Sequence, residues 1–343
     1  MTAHAPASTM ATTLKVGTRA SRLARAQSEA VAARLHAVTG VRIEVVEVTT
    51  RGDVDRAPLA EIGGQGVFVS VLRSALAAGT VDVAVHSLKD LPTAPAEGIE
   101  LAAVPPREDP RDVVVARDGL SLGELPPGST VGTGSPRRAA QLRALGLGLD
   151  VVDLRGNVDT RLGRVGADEA AGGLDAVVLA RAGLARLGRL DEVSEVLDPL
   201  LMLPAPGQGA LAVEVRAGDP IAADVRSALD DDASRTAVTA ERAFLAAVEA
   251  GCSAPVGALA ELTWTTAADA AVDASGGAGG DDGWAPDELW LRGVVVAPAG
   301  APLLRLSATG GVTEPTAVGR LLATEMLERG AAELIDAAKA VQP

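Results

Sequence analysis

Short apolar runs rich in β-branched residues alternate with helical patterns through the first half of the chain. The predicted strands are 14–18, 41–49, 81–86, 112–116, 129–133, 150–154 and 175–180, and the predicted helices are about 21–38, 67–79, 136–146, 158–170 and 182–189. Such alternation is typical of an α/β fold with mostly parallel sheets. At roughly 100–200 residues per domain, 343 residues correspond to two or three domains.

A different pattern follows the segment LPAPGQGALAVEVR, which ends at Arg216. Strands are predicted at 256–264, 288–297 and 302–308 and helices at 234–250 and 314–329, which indicates a small C-terminal α+β domain. Between Trp264 and Trp290 lies the low-complexity stretch AADAAVDASGGAGGDDG. This composition predicts a flexible loop outside any core.

Charge and composition exclude several classes of partner. A net charge of −14 and an aromatic content of 1% oppose nucleic-acid binding, which needs a basic surface and stacking side chains. No apolar run reaches the 18 or so residues that cross a bilayer, and MTAHAPASTMATT lacks the basic start and apolar core of a signal peptide. We therefore predict a cytoplasmic protein without nucleic-acid or membrane partners, and we also expect it to be a monomer.

Cys252, in VEAGCSAPVG, is the only cysteine of the chain. A lone thiol cannot form an internal disulfide or a cysteine metal cluster, so it is an attachment point, a nucleophile or a packing residue. The predicted helix 234–250 places the thiol beside the negative helix end and near Glu249, and both disfavour the thiolate. A cycling nucleophile is therefore disfavoured, while attachment and packing stay open.

Arginines follow the ends of four predicted strands. They are Arg19 after the first strand, Arg137 and Arg138 after 129–133, Arg155 and Arg161 after 150–154, and Arg181 and Arg186 after 175–180. Open α/β sheets bind ligands at this edge, where helix N-termini carry positive partial charge and an added cation is unfavourable without an anion. The pattern predicts a ligand with several negative charges, although solvated surface arginines would account for one or two of these places.

A carboxylate lies at the same predicted edge. The strand in VDVAVHSLKDLP runs into a turn that carries His86, Lys89 and Asp90. A carboxylate among cations can exchange a proton and stabilise a passing positive charge, which a simple anion site would not need. The alternatives are that Lys89 and Asp90 cap the turn and that His86 is a hydrogen-bonded packing residue.

Nine segments carry a resemblance to a known family. They are GTRASRLARAQ, VTTRGD, GGQGVFV, DVAVHSLKDLP, REDPRD, VGTGSPRR, LRGNVDTRL, LPAPGQGALAVEVR and AERAFLAAVEAGCSAPVG. With them the chain resembles the porphobilinogen deaminases, or hydroxymethylbilane synthases, from about residue 14 to beyond 330. The resemblance implies two α/β domains like type II periplasmic binding proteins, with a cleft between them, and a third α+β domain.

The resemblance also implies domain limits and a reaction. Domain 1 would be residues 12–106 and 210–230, domain 2 residues 107–209, and domain 3 residues 231–343 with a flexible insertion near 265–287. Four porphobilinogen molecules would be joined head to tail, with loss of ammonia, onto a dipyrromethane cofactor held by a thioether to Cys252. Hydrolysis would release the linear tetrapyrrole, and no metal is implied.

Site residues follow from the same resemblance. The implied cofactor contacts are Cys252, Lys89, Asp90, Thr133, Ser135, Arg137, Arg138 and Arg155. The implied substrate contacts are Arg19, Ser21, Phe68, Arg155, Arg161, Arg186 and Gln208. The implied catalytic residues are Asp90, Arg19, Arg155 and Arg161, with Asp90 assisting ammonia loss. Arg107 and Arg111 would lie at an inter-domain crossing, as structural ion pairs or as ligand contacts.

Two departures from the family pattern and one alternative function remain. Ala250 stands where the family usually has glycine, and Glu61 and Gln65 stand in a predicted lid, roughly Gly52 to Gly66, where many relatives have lysine. A two-lobed polyanion receptor of the solute-binding type would share the fold without catalysis. Such a receptor would need neither Asp90 nor Cys252.

Overall fold

The computed structural model describes residues 13–48, 66–168, 172–250, 254–263 and 286–341, without the side chains of 66–68 and 341. Their β-strands are β1 (Thr13–Thr18), β2 (Arg42–Glu47), β3 (Val83–Ser87), β4 (Ile99–Ala103), β5 (Asp112–Ala116), β6 (Thr130–Gly132), β7 (Asp150–Val152), β8 (Ala176–Ala180), β9 (Glu195–Val196), β10 (Leu211–Arg216), β11 (Val256–Thr263), β12 (Glu288–Val296) and β13 (Leu303–Gly311). Their α-helices are α1 (Arg22–Thr39), α2 (Gly66–Ala77), α3 (Pro136–Ala144), α4 (Val158–Leu162), α5 (Arg181–Arg186), α6 (Ile221–Leu229), α7 (Asp232–Ala247), α8 (Pro315–Glu328) and α9 (Ala331–Val341).

The strands form three sheets. The first has the order β2-β1-β3-β10-β4, the second β7-β6-β8-β5-β9, and the third β11-β12-β13. We call each sheet, with the helices packed on it, a layer. The first two layers are mixed α/β and the third is a small antiparallel sheet with helices, which confirms the predicted fold class. The limits of the three domains stay predictions.

The expectation of mostly parallel sheets is confirmed with one exception in each sheet, because four of the five strands run in the same direction and only β10 or β5 is reversed. In the first sheet β1 pairs in parallel with β2 and β3, whereas β10 is antiparallel to β3 and β4. The second sheet repeats this arrangement, with β5 antiparallel to β8 and β9. Both β5 and β10 enter their sheet after the chain has crossed from the other one, which reverses their direction. The two crossing segments, 104–111 and 203–210, therefore run between the two sheets.

Apolar faces hold each layer together. Leu14, Val16, Leu35 and Val225 are buried between the first sheet, α1 and α6. In the third layer α7 and α8 cover the sheet, with Phe244 and Met326 fully buried. None of the helices within the described ranges is long and apolar enough to cross a membrane.

Some predicted elements differ from the observed ones. The helix predicted at 158–170 ends at Leu162, because Gly166 adopts the left-handed φ of 68° and Val165 forms a parallel bridge with Leu174 instead. The helix predicted to begin near Ser234 is capped three residues earlier, by the Asp231 side chain that accepts from the Ser234 amide at 2.8 Å. The sequence analysis did not predict β4, β9, β10, α6 or α9.

Candidate active site

The turn after β3 presents Lys89 and Asp90. Residues Leu88–Asp90 form one 3₁₀ turn, whose Leu88 is fully buried, so that the two polar side chains lie on its other side, partly buried. The second crossing segment packs directly on this turn: the Leu88 amide donates to Ala210 O at 3.0 Å. Gly207 in this segment has φ 75°, and a Cβ on it would lie 3.3 Å from the backbone nitrogen of Lys89. This position therefore favours glycine.

The start of α3 presents the next group of predicted residues. Ser135 caps the helix, its Oγ accepting from the Arg138 amide at 3.4 Å, and Pro136 occupies the first helical position. Thr133 is buried, and its hydroxyl accepts from the Ser135 amide at 3.3 Å. Both hydroxyls keep their own proton available for a further acceptor.

Arg137 and Arg138 are buried and share one carboxylate, Asp112. Arg137 Nη1 lies 2.8 Å from Asp112 Oδ2, while Arg138 donates to Oδ1 from Nε at 3.0 Å and from Nη2 at 2.8 Å. Asp112 has no exposed surface. Burial raises the pKa of its carboxyl, but the two guanidiniums more than offset this and hold the pKa well below its ordinary value.

Asp112 corrects the argument that a cation at a helix start implies an external anion. At α3 part of the compensating negative charge belongs to the protein itself. This aspartate is the last residue of REDPRD, a segment in which the sequence predicts a role only for the two arginines. The only available signal was a charged residue at the start of the apolar strand DVVVA.

Gln208 connects this cluster to Lys89. Its side chain is fully buried, and Nε2 donates to Pro110 O at 2.7 Å and to Asp112 Oδ1 at 2.8 Å. Its Oε1 accepts from Lys89 Nζ at 3.2 Å and from Arg138 Nη2 at 3.4 Å. Protein groups thus occupy all four hydrogen-bonding positions of the amide. The substrate contact expected of Gln208 stays a prediction.

The pKa of Lys89 reflects this neighbourhood. Burial lowers it most, and the charge of Arg138 lowers it further; Asp90 and Asp112 act in the opposite direction. The result is a pKa of about 8 instead of 10.5. Lys89 is therefore a cation at neutral pH that loses its proton under mildly alkaline conditions.

Arg161 and Arg186 approach the same region. Arg161 Nε donates to Gly156 O at 2.8 Å, and its pKa is lowered by burial and by the nearby charge of Arg138. Arg186 donates from Nη2 to Gly209 O at 2.6 Å, and burial lowers its pKa. The second crossing segment thus contacts groups from both sheets.

The remaining predicted residues either have other local partners or lie outside the described ranges. Arg155 is exposed and pairs with exposed Asp153 at 3.0 Å. Ser21 caps α1, accepting from the Ala24 amide at 3.3 Å, and partly buried Arg19 follows β1. Cys252, the Phe68 side chain, Glu61 and Gln65 lie outside what the structure describes.

Arg107 and Arg111 both form ion pairs, which is one of the two roles predicted for them. Arg107 makes a bidentate pair with fully buried Glu241 of α7, at 2.7 and 3.0 Å. Arg111 pairs with Asp109 at 2.6 Å. His86 is buried, with Nε2 3.3 Å from a Glu214 oxygen, as expected of a packing histidine. In the described ranges no three His, Cys, Asp or Glu side chains are grouped to hold a metal ion.

Two family models match the chain. Residues 14–224 match the dipyromethane cofactor binding domain of porphobilinogen deaminase, and residues 235–328 match its C-terminal domain. A porphobilinogen deaminase of Mycobacterium tuberculosis is 54% identical over 322 residues, which cover 94% of this chain and 98% of that protein. The enzyme of Nocardia farcinica is 53% identical over 332 residues, 97% of this chain and 90% of that one. A periplasmic substrate-binding protein of an ABC transporter from Coxiella burnetii aligns at a TM-score of 0.38, with 15% identity over 65% of this chain and 94% of that one.

Proposed function

The chain belongs to the porphobilinogen deaminase family, and we propose that the cluster around Asp112 and Lys89 is its active site. The reaction joins four porphobilinogen molecules head to tail on a dipyrromethane cofactor and releases hydroxymethylbilane. The observation that carries this proposal is the convergence of three cations, Lys89, Arg137 and Arg138, beside the catalytic candidate Asp90.

The cluster suits a group with several carboxylates. Each pyrrole of the cofactor carries an acetate and a propionate, and Asp112 alone does not balance the three cations. Among the described residues, Arg137 is only 3% exposed, and its Nε has no hydrogen-bond partner. A buried donor without a partner is unfavourable, so a ligand carboxylate there would stabilise the site. The free hydroxyl protons of Thr133 and Ser135 add two further donors at the start of α3.

Cys252 is the proposed attachment point, and the neighbouring chain supports this. The Ala258 amide donates to Pro204 O at 2.9 Å, and a Cβ on Gly257 would lie 2.8 Å from Leu203 O, the same oxygen that Arg137 Nη1 binds at 2.7 Å. Five residues span at most about 18 Å, which is the upper limit on the distance from Gly257 to the proposed attachment point. The dipyrromethane, when bound, supplies the pyrrole carbon to which the first substrate is joined.

Asp90 is the proposed catalytic carboxylate. The amino group of the aminomethyl side chain of porphobilinogen leaves as ammonia with the electron pair of the C–N bond, so the methylene carbon and a positive charge stay on the substrate pyrrole. A carboxylate at this place stabilises that charge and accepts the ring proton that is lost after the new carbon–carbon bond has formed. Lys89 beside it keeps the region cationic enough to hold carboxylates without removing the negative charge of Asp90.

The remaining arginines would bind the growing chain. Arg19, Arg155, Arg161 and Arg186 are proposed to pair with its carboxylates and to orient the incoming amine, with Ser21 and Phe68 at the edge of the site. Each addition brings two more negative charges, which guanidinium groups bind in a bidentate geometry. The exposed position of Arg155 suits a contact with a later, longer chain.

Replacing Arg161 tests the proposed site. Losing one charge-assisted hydrogen bond of about 1.5–3 kcal/mol predicts that Arg161→Gln lowers kcat/KM for porphobilinogen roughly ten- to a hundredfold. Ammonia release and tetrapyrrole formation are measured together, with Arg25→Gln as the control, since Arg25 pairs with Glu29 on the exposed side of α1. Equal rates in both variants would contradict the proposed site. Binding of porphobilinogen without ammonia release by the unaltered protein would favour the solute-receptor alternative.

The proposal includes a cytoplasmic location and a monomeric state. One cysteine in 343 residues suits a reducing compartment.

A further inference from the structure

One buried carboxylate joins the cations of the proposed cofactor site. Both oxygens of Asp112 are used: Oδ2 accepts from Arg137, and Oδ1 accepts from Arg138 and from Gln208. Asp112 is the first residue of β5, directly after the first crossing segment, and Gln208 lies on the second. The carboxylate is therefore fixed by both connections between the two sheets.

We infer that Asp112 is a positioning residue for the family reaction, which holds Arg137, Arg138 and, through Gln208, Lys89 in the arrangement that receives the cofactor carboxylates. This inference rests on the proposed function. Asp112 does not itself contact the cofactor in this account, because four hydrogen bonds from protein groups already occupy its oxygens.

Gln208 carries the effect from Asp112 to Lys89. An amide has a donor end and an acceptor end, and only one orientation serves both neighbours here. Asp112 Oδ1 and Pro110 O bind the Nε2 end, which turns Oε1 toward Lys89 Nζ. Without a carboxylate at position 112 that orientation loses a partner, and the reversed amide would place N–H groups against the Lys89 ammonium.

Charge makes the same connection. Lys89 is faced by Asp90 on its own turn, by Asp112 on β5, and by Arg137 and Arg138 on α3. Asp112 raises the pKa of Lys89, whereas burial and the two arginines lower it. Removing the Asp112 charge should therefore lower the pKa of Lys89 below about 8 and leave less of its cationic form at neutral pH.

Lys89 also makes the free energy of unfolding depend on pH. Lys89 has a folded-state pKa below its ordinary value, so between about pH 8 and 10.5 the unfolded chain binds more protons than the folded one. Charged Lys89 thus opposes folding below pH 8, and this penalty disappears as the pH rises from 8 to 10.5. A carboxylate bound beside the ammonium would weaken this pH dependence by raising the pKa of Lys89 toward its ordinary value.

The chain offers a direct measurement, because Lys15, Lys89 and Lys339 are its only lysines. With ¹³C,¹⁵N-lysine in the full-length Cys252→Ser protein, which lacks the proposed tether, three side-chain NMR signals titrate separately, and Lys89→Met identifies one of them. In Asp112→Asn we expect the Lys89 midpoint to move to lower pH. Asp175→Asn is the matched control. Asp175 precedes β8 and pairs with Arg117, at 2.6 Å, and it does not belong to the Asp112 cluster. That control should leave the midpoint in place.

A second readout concerns cofactor loading. In the Cys252-containing protein, intact mass should show the loaded fraction of Asp112→Asn falling about tenfold relative to Asp175→Asn at pH 8.5, with partial recovery in Asp112→Glu. If Asp112→Asn does not fold, Gln208→Met replaces it and should also lower the Lys89 midpoint. An unmoved midpoint in the folded variant overturns the inference. A lowered midpoint with unchanged loading leaves the network intact but overturns the assignment of these cations to the cofactor.

Discussion

Asp90→Asn is expected to reduce turnover of porphobilinogen by about 10²–10⁴-fold while the cofactor stays attached. Asparagine has nearly the same shape as aspartate, so the 3₁₀ turn at Leu88–Asp90 should persist around buried Leu88 and Leu91. What is lost is the negative charge and the proton acceptor. Steady-state rates of ammonia release, with intact mass measured on the same sample, separate loss of chemistry from loss of cofactor.

Asp82→Asn provides the matched control for Asp90. Asp82 lies at the opposite end of the same strand, where it accepts from the Lys15 amide at 3.0 Å and pairs with Arg216 at 3.2 Å. Its replacement should leave kcat within about twofold of the parent, because a surface ion pair contributes little. Parent-like turnover in Asp90→Asn would remove Asp90 from the mechanism.

Glu241→Gln is expected to lower the free energy of unfolding by about 3–5 kcal/mol, because breaking a buried ion pair leaves an uncompensated charge. Glu241 has no exposed surface. It accepts from Nη1 and Nη2 of Arg107, from the Gly207 amide at 2.6 Å and from the Ala260 amide at 2.9 Å. It thereby fastens α7 and β11 to both crossing segments. A neutral amide cannot accept all four of these hydrogen bonds.

Tryptophan fluorescence during urea unfolding measures this effect locally. Trp264, Trp284 and Trp290 are the only tryptophans, and all lie in the C-terminal part of the chain. The Glu241→Gln midpoint should fall well below that of Asp336→Asn, which breaks only the exposed Lys339–Asp336 pair. Coincident midpoints in the two variants would show that Glu241 does not fasten the third layer.

The sequence predicts the strands well, because alternation and apolar runs are local signals. Observed β1, β5 and β8 lie within one residue of the predicted ranges at each end. The reversed direction of β5 and β10 is not a local signal, because it depends on where the chain crosses between the two sheets. A local pattern such as that of 158–170 also cannot show that Val165 will pair with Leu174 instead of continuing a helix.

The site was predictable in part for the same reason. Arginines and Asp90 follow strands, and strand ends can be read from local pattern. Asp112 could not be found this way, because its partners Arg137, Arg138 and Gln208 lie 25, 26 and 96 residues away along the chain. Arg155 also follows a predicted strand, as Arg138 does, yet its side chain is exposed and pairs with the neighbouring Asp153. Strand position predicts which edge a residue occupies and leaves open what its side chain binds.

The central claim is that Cys252 holds the dipyrromethane in a site built from the Asp112 cluster. Intact-mass measurement of the active protein tests it most directly. We predict the mass of the sequence plus two linked pyrrole units for the parent chain, and the bare sequence mass, without turnover, for Cys252→Ser. A parent protein that releases ammonia from porphobilinogen at the bare sequence mass would contradict the claim.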